Sequence, residues 1–211
     1  MSNAESEFSK LRLEMLCDGV FAIAMTLLAL ELKVPDLPRQ AGSAEIWHAL
    51  REHGLPFFGF VLTFALAGSF WIAHHMLFQY LRGVNRHLAY LTIPFLMFVS
   101  LLPFTTSMLT SFTLRQPVGL LFYLGDQLML AVLLAAHWLV ATRSGLLAPG
   151  GDDAKRREFG RMVYLQPIAF LVSLAFIYIS PRNALGAFAI TLFLLIAVVK
   201  RMESRASGLR T

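Results

Sequence analysis

The sequence predicts an all-α integral membrane protein with six transmembrane helices per subunit. The first observation is its composition: 57% of the 211 residues are hydrophobic and only 15% are charged, whereas soluble domains carry about 25% charged residues. The second is that the charges cluster between long uncharged runs, most of them near the roughly 20 residues that a helix needs to cross a bilayer. The third is the uneven distribution of lysine and arginine among the loops.

Six apolar runs define the spans, and we interpret residues 1–211 as a single six-helix transmembrane domain. The spans cover residues 13–32, 55–78, 88–110, 118–141, 162–180 and 184–199. Only a few residues separate the last two spans, which predicts an antiparallel helical hairpin. Prolines inside the spans are tolerated because neighbouring helices can satisfy the carbonyls that they free. Between the first two spans, residues 45–50 predict a short interfacial helix.

Lysine and arginine predict the orientation. With six spans, both terminal tails and the 79–87 and 142–161 loops share one side of the membrane, and they hold most of the 18 basic residues. The positive-inside rule therefore places both termini in the cytoplasm. Because this topology also accounts for the net charge of +5, we predict no nucleic-acid partner.

Motifs narrow the chemistry. The single cysteine, Cys17, excludes an intrachain disulfide and a cysteine-cluster zinc site. The sequence has no paired carboxylates, no HExxH, no Gly-x-Ser-x-Gly and no phosphate loop. It therefore predicts neither an enzyme nor a bound cofactor or metal.

The first span carries an acid where an acid is costly. Asp18 lies in its first third, and a carboxylate in hydrocarbon costs on the order of 3 kcal/mol unless it is paired or faces protein or water. Helical spacing places Ile23, Leu27 and Leu30 within about 60° of one another. Thr26 lies on the flank of that face, and Asp18 lies about 140° from Ile23. We expect the acid to turn into its own subunit and the aliphatic face toward lipid, another helix or a pore, although plain packing is the commonest meaning of a leucine ladder.

The acid needs polar partners on other helices. Arg12 precedes Asp18 by six residues, so the two do not share a helix face as i,i+4 pairs do. The second span offers polar candidates: Ser69, Trp71, His74 and His75. For the two histidines, a helix end near the membrane surface is the alternative, and a metal site is disfavoured because adjacent helical residues point about 100° apart. Asp126 and His137 in the fourth span are further intramembrane polar groups whose partners the pattern does not identify.

Around these residues the sequence resembles the first-helix signature of the transmembrane protein 175 family of potassium channels. That signature is Arg, three further residues and Phe-Ser-Asp; here it runs from Arg12 to Leu16, Cys17 and Asp18. Leucine keeps the apolar bulk of Phe, whereas Cys17 is a weaker hydrogen-bonding group than Ser. Further matches lie at residues 69–75 and 85–107. The resemblance covers residues 12–110, and the last three spans match in hydropathy only.

The resemblance implies a homotetramer in which the first helices of four subunits line a central pore. It implies potassium and other monovalent cations as permeant species and a bacterial cytoplasmic membrane as the location. There is no carbonyl-lined Thr-Val-Gly-Tyr-Gly filter; Ile23 would form the narrowest ring, continued by Leu27 and Leu30, and would gate by dewetting. The Thr26 hydroxyl would lie beside it as a selectivity group. The polar network bracing this helix would comprise Arg12, Cys17, Asp18, Ser69, Trp71, His74 and His75.

Two alternatives remain for the polar residues. Glu31 and Asp36 follow the aliphatic face and either line the pore mouth, where they would concentrate cations, or simply end the helix in solvent. The rival to a channel is a proton-coupled secondary transporter, in which intramembrane acids and histidines relay protons. That interpretation would use Asp18, His74, His75 and Asp126.

Overall fold

The computed structural model describes residues 9–33, 36–38, 40–52, 54–112 and 116–179. These residues form six α-helices: α1 Lys10–Leu30, α2 Ser43–Glu52, α3 Gly54–Gln79, α4 Arg86–Phe112, α5 Val118–Arg143 and α6 Asp153–Ile179. The all-α class is therefore confirmed. The short helix predicted at residues 45–50 is also present, as α2.

Five of these helices are long and apolar enough to cross a membrane: α1, α3, α4, α5 and α6. The bounds of the first four lie within a few residues of the predicted spans. The fifth span was expected at residues 162–180, but α6 already begins at Asp153, because charged helical turns extend it beyond the apolar stretch that hydropathy detects. The predicted sixth span, 184–199, lies outside the described residues.

The early start of α6 has a local cause in its N-cap. The backbone amides of Lys155 and Ala154 donate to a carboxylate oxygen of Asp152, at N···O distances of 3.2 and 2.9 Å. An N-cap acid satisfies amides that have no partner inside the helix. The same two hydrogen bonds favour the ionised carboxylate, so they hold the pKa of Asp152 below its usual value.

Four helices meet around Phe95, in the middle of α4. Its ring stacks on His74 of α3, with 5.2 Å between the ring centroids. It also packs against Phe21 of α1 at 5.9 Å and His137 of α5 at 5.5 Å. All four side chains are buried. Where these helices meet, the core of the subunit therefore contains a cluster of two phenylalanine and two histidine rings.

Three segments that the predicted topology places on the same side of the membrane lie together at one end of the bundle. The Lys10 ammonium donates to the carbonyl of Leu81, just after α3, at 2.9 Å. The backbone amide of Ala148, after α5, donates to the Tyr80 carbonyl at 2.8 Å. The start of α1, the loop after α3 and the loop after α5 thus share one end, as the predicted topology requires. The assignment of that end to the cytoplasm stays a prediction.

Candidate functional site

The outward face of α1 is aliphatic. Ile23, Leu27 and Leu30 are 62%, 42% and 73% exposed, respectively, on the single chain. The Thr26 hydroxyl donates to the Ile23 carbonyl at 2.8 Å. A hydroxyl has one proton and two lone pairs, so its proton is used within the helix while the oxygen can still accept. The helix therefore presents an apolar stripe with one hydroxyl oxygen to the surroundings of the subunit.

The inward face of α1 follows the period of a packed helix, with three or four residues between successive contacts. Its buried residues are Leu13, Cys17, Phe21, Ala24 and Leu28. The Cys17 sulfur lies 3.7 Å from Nε2 of His74. His74 is itself buried and is held between Phe78 and Phe95. This contact joins α1 to α3 inside the subunit.

The expectation that Asp18 would be buried in its own subunit is wrong. Asp18 is exposed on the single chain, because Cys17, one residue earlier, takes the interior position and the next residue is rotated by about 100°. The acid is nevertheless partnered: the indole N–H of Trp71 donates to its carboxyl oxygen at 2.8 Å. The Trp71 ring in turn stacks on His75, with 5.8 Å between centroids, and His75 lies 2.9 Å from the Gln79 amide nitrogen.

The structure places the other two members of the predicted network apart from these contacts. The Ser69 hydroxyl donates to the Leu66 carbonyl of its own helix at 2.7 Å. Arg12 is exposed, and among the described residues no hydrogen bond or salt bridge joins it to Asp18. Two separate contacts, one buried and one at the surface, therefore tie α1 to α3 in the single chain.

The two acids after the aliphatic face are both at the surface. Glu31 directly follows the last residue of α1, and Asp36 lies in the connection to α2. Both side chains are exposed. Exposure suits a pore mouth and a solvated helix end equally, so the pore-mouth assignment stays a prediction.

A buried hydroxyl network between α3, α4 and α5 was not anticipated from the sequence. The Thr63 hydroxyl lies 2.9 Å from that of Thr106 and 3.1 Å from that of Tyr123. Next to Thr106 on α4, the Thr105 hydroxyl donates to a carboxyl oxygen of Asp126 at 3.0 Å. All five side chains are buried. The threonines within otherwise apolar helices could have indicated such a network, because a buried hydroxyl without a hydrogen-bond partner is costly.

His137, whose partners the pattern did not identify, has a polar neighbour at each ring nitrogen. Its Nε2 lies 3.1 Å from the Thr92 hydroxyl, and its Nδ1 lies 2.7 Å from the Leu133 carbonyl. Its ring also meets that of His74 edge-on, with 5.8 Å between centroids. The two polar residues of α5 thus have different partners on α4: His137 contacts Thr92, and Asp126 contacts Thr105.

The five membrane-length apolar helices of the described residues indicate an integral membrane protein. A family model described as endosomal/lysosomal potassium channel TMEM175 matches residues 12–103. A potassium channel of Streptomyces collinus is 32% identical over 181 residues, which are 83% of this chain and 86% of that protein. The mouse endosomal/lysosomal proton channel TMEM175 is 35% identical over 114 residues, which are 52% of this chain and 23% of that protein.

The fold agrees with these sequence matches. A crystal structure of a lysosomal potassium-selective channel TMEM175 homolog from Chamaesiphon minutus superposes with a TM-score of 0.73 and 26% identity, covering 91% of this chain and 97% of that one. The chain therefore belongs to the TMEM175 family, as the first-helix signature predicted. That family consists of ion channels and not of enzymes. The likeness extends beyond residue 110, where the sequence alone showed only shared hydropathy.

Proposed function

We propose that this chain is one subunit of a potassium-permeable cation channel, in which the first helices of four copies surround a common pore. The potassium channel of Streptomyces collinus and the potassium-selective homolog of Chamaesiphon minutus support this proposal, because both match over most of their length. The mouse relative is named a proton channel, whereas the two bacterial relatives are named for potassium. We therefore take potassium as the permeant ion. The membrane is the bacterial cytoplasmic membrane, with both termini inside.

The observation that carries the proposal is the separation of the two faces of α1. The inward face is packed against α3 and α4, whereas Ile23, Leu27 and Leu30 remain exposed on the single chain. Four such faces around an axis form rings of branched aliphatic side chains, with Ile23 as the narrowest. A ring of this kind excludes water from a narrow neck and raises the energy of a hydrated ion. It therefore acts as a gate that opens on a small dilation.

Thr26 is suited to assist a cation beside this neck. Its proton is donated to the Ile23 carbonyl at 2.8 Å, so its oxygen faces outward as an acceptor. A hydroxyl oxygen is a ligand that a partly dehydrated alkali cation accepts, as carbonyl oxygens are in other filters. Glu31 and Asp36, beyond the neck, concentrate cations at the pore mouth.

The polar contacts behind α1 set its position. Cys17 against His74 and Asp18 against Trp71 both join α1 to α3. A change in either contact tilts or rotates α1, and four-fold repetition converts that motion into a change of neck diameter. We therefore assign Asp18 to assembly and gating and not to ion binding.

The decisive experiment is Ile23→Asn, with Ile93→Asn as the matched control. Both isoleucines are exposed on the single chain, but Ile93 lies on α4 and not on α1. In planar bilayers with asymmetric potassium and sodium, we expect Ile23→Asn to raise the current at least about tenfold, since about 1.4 kcal/mol removed from a barrier suffices. Ile93→Asn should leave it unchanged. Equal currents in wild type and a well-folded Ile23→Asn protein would refute the gate.

Subunit stoichiometry provides an independent check. Chemical cross-linking of the purified protein in mild detergent should give a ladder that ends at four subunits. A clean monomer or dimer is incompatible with a pore built from one helix per chain.

A proton-coupled transporter receives less support. Its candidate groups have separate partners: His74 contacts Cys17, Asp126 accepts from Thr105, and Asp18 accepts from Trp71. Among the described residues no hydrogen bond joins one of these groups to another, as a direct proton relay would require. Saturable, pH-driven exchange without single-channel currents would favour the transporter over the channel.

A further inference from the structure

A cavity of about 400 Å³ lies between the end of α5 and the first turns of α6. Its walls carry aromatic rings, a hydroxyl and three guanidinium groups: Trp138, Tyr164, Thr142, Arg156, Arg157 and Arg161. Among the described residues that line it, the one carboxylate is that of Asp153. The cavity therefore has an excess of positive charge next to aromatic rings.

Helix spacing directs two of the arginines to the same wall. Arg157 and Arg161 are four residues apart on α6, and Tyr164 follows three residues later, so the three side chains share one helix face. Both arginines are exposed. No salt bridge joins either guanidinium group to a carboxylate of the described residues. Their hydrogen-bond donors are therefore available to a ligand.

Trp138 contributes a donor from α5. The residue is only 4% exposed, and its indole nitrogen lies so close to Gly160 that an added Cβ there would come within 2.6 Å. Gly160 thus lets α6 approach the indole edge. Trp138 lines the cavity, so its indole N–H is available to an acceptor bound there. An indole donor beside three guanidinium groups favours an anionic ligand.

Arg156 is the least exposed of the three cavity arginines. Its side chain is only 14% exposed; it contacts Asp153 at 3.8 Å and donates to the Ala148 carbonyl. Its Nε is buried without a partner in the structure. The side chain therefore ties α6 to the 144–152 connection and leaves one guanidinium charge only partly compensated in the same cavity as Arg157 and Arg161.

We propose that this cavity binds a phosphate group, supplied by the head group of an acidic phospholipid or by free phosphate. Guanidinium groups match phosphate oxygens in a bidentate geometry, and basic pockets between transmembrane helices bind anionic head groups. The cavity lies at the end of α5 and the beginning of α6, where head groups meet spanning helices, and Trp and Tyr favour that level of the membrane. This inference concerns binding and does not depend on whether the chain conducts ions.

The test compares two double variants of the full chain in neutral detergent. Arg157→Gln with Arg161→Gln removes the two exposed cavity arginines. Arg143→Gln with Lys155→Gln removes the same charge from exposed residues nearby that do not line the cavity. Bound phosphatidylglycerol is counted by native mass spectrometry during a titration, with phosphatidylcholine as the neutral lipid. We expect roughly thirtyfold weaker phosphatidylglycerol binding in the cavity variant and little change in the control.

A second arm distinguishes the source of the phosphate. Inorganic phosphate is added to delipidated protein, and thermal unfolding is followed with and without phosphatidylglycerol. Stabilisation by inorganic phosphate that disappears in the cavity variant assigns the site to a soluble anion. Stabilisation by phosphatidylglycerol alone assigns it to the lipid.

Conservative variants keep the proposal testable if the double glutamine variant does not fold. Arg157→Lys with Arg161→Lys retains charge but loses the bidentate geometry, so it should bind phosphatidylglycerol several-fold more weakly. Trp138→Phe removes only the indole donor and should also weaken binding. Phosphatidylglycerol or phosphate binding that is equal in wild type, cavity variants and control would overturn the proposal.

Discussion

Helices α1 and α5 are equally apolar but are used differently. The most apolar window of each has a mean hydropathy of 1.9, yet 28% of that window is buried inside the subunit in α1 and 56% in α5. The polar side chains that α5 places in the interior are Tyr123, Asp126, Gln127 and His137, whereas α1 places one polar side chain there, Cys17. Hydropathy therefore shows that a helix crosses the membrane but not what it faces.

The difference has a functional consequence. The subunit surrounds α5, so changes in α5 act first on the fold of one chain. Helix α1 leaves most of its surface exposed on the single chain, so in the proposed tetramer changes there should act first on assembly and conduction. Substitutions in the two helices should therefore separate effects on stability from effects on assembly and conduction.

The largest loss of stability is expected from Phe95→Ala. Its ring lies where α1, α3, α4 and α5 meet, in contact with Phe21, His74 and His137. Removing a buried Phe costs about 3–5 kcal/mol through lost burial and the cavity left behind. Thermal or denaturant unfolding in detergent measures the change. Phe104→Ala, at an exposed position on the same helix, should cost far less, and equal losses would show that the aromatic cluster is not the centre of the core.

A sharper comparison uses two leucines that are two positions apart on α1. Leu28 is fully buried, whereas Leu30 is 73% exposed. Leu28→Ala should lower the free energy of unfolding by about 2–4 kcal/mol, whereas Leu30→Ala should change it by less than about 0.5 kcal/mol. Conduction should respond in the opposite order, because Leu30 belongs to the proposed neck. If Leu30→Ala destabilised the chain as much as Leu28→Ala, the two-face description of α1 would be wrong.

The sequence predicted those features of the site that depend on neighbours along one helix. The aliphatic face follows from the helical repeat applied to Ile23, Leu27 and Leu30, and the structure exposes all three. The environment of Asp18 was misjudged because it depends on how α1 is rotated against α3. A rotation of about 100° decides whether residue 17 or residue 18 enters the interior, and hydropathy does not record that angle.

The hydroxyl network shows a second limit. Thr63 and Tyr123 are 60 residues apart in the chain, and Thr63 and Thr106 are 43 apart. Their pairing depends on which helices pack together and at what height, and neither follows from the order of spans. The same reasoning applies to Asp126, whose partner on α4 is 21 residues away. A polar residue in an apolar run predicts that a partner exists, but not which residue it is.

A moderate effect is expected from Trp71→Phe, which keeps an aromatic ring but removes the donor to Asp18. Loss of this hydrogen bond should weaken the attachment of α1 to α3 by about 1–2 kcal/mol. We expect a smaller cross-linked tetramer fraction and altered gating, with an unchanged potassium-to-sodium permeability ratio. Asp18→Ala should behave similarly.

Trp47→Phe serves as the control, because Trp47 is exposed on α2 and away from this contact. It should leave both the tetramer fraction and the currents unchanged. A pure change of permeability ratio in Trp71→Phe or Asp18→Ala, without an assembly or gating defect, would instead place Asp18 in the ion path.

The smallest effect is expected from Cys17→Ser, at the one polar side chain that α1 places in the core. Its sulfur lies 3.7 Å from Nε2 of His74, a weak contact compared with one to a hydroxyl. Cys17→Ser supplies a better hydrogen-bonding group and should change the free energy of unfolding by less than about 1 kcal/mol. Cys17→Ala, which leaves the buried His74 nitrogen without a partner, should cost about 1–2 kcal/mol. Because Cys17 is fully buried, maleimide should modify it only in the unfolded chain; rapid labelling of the native protein would mean that α1 exposes this face to solvent.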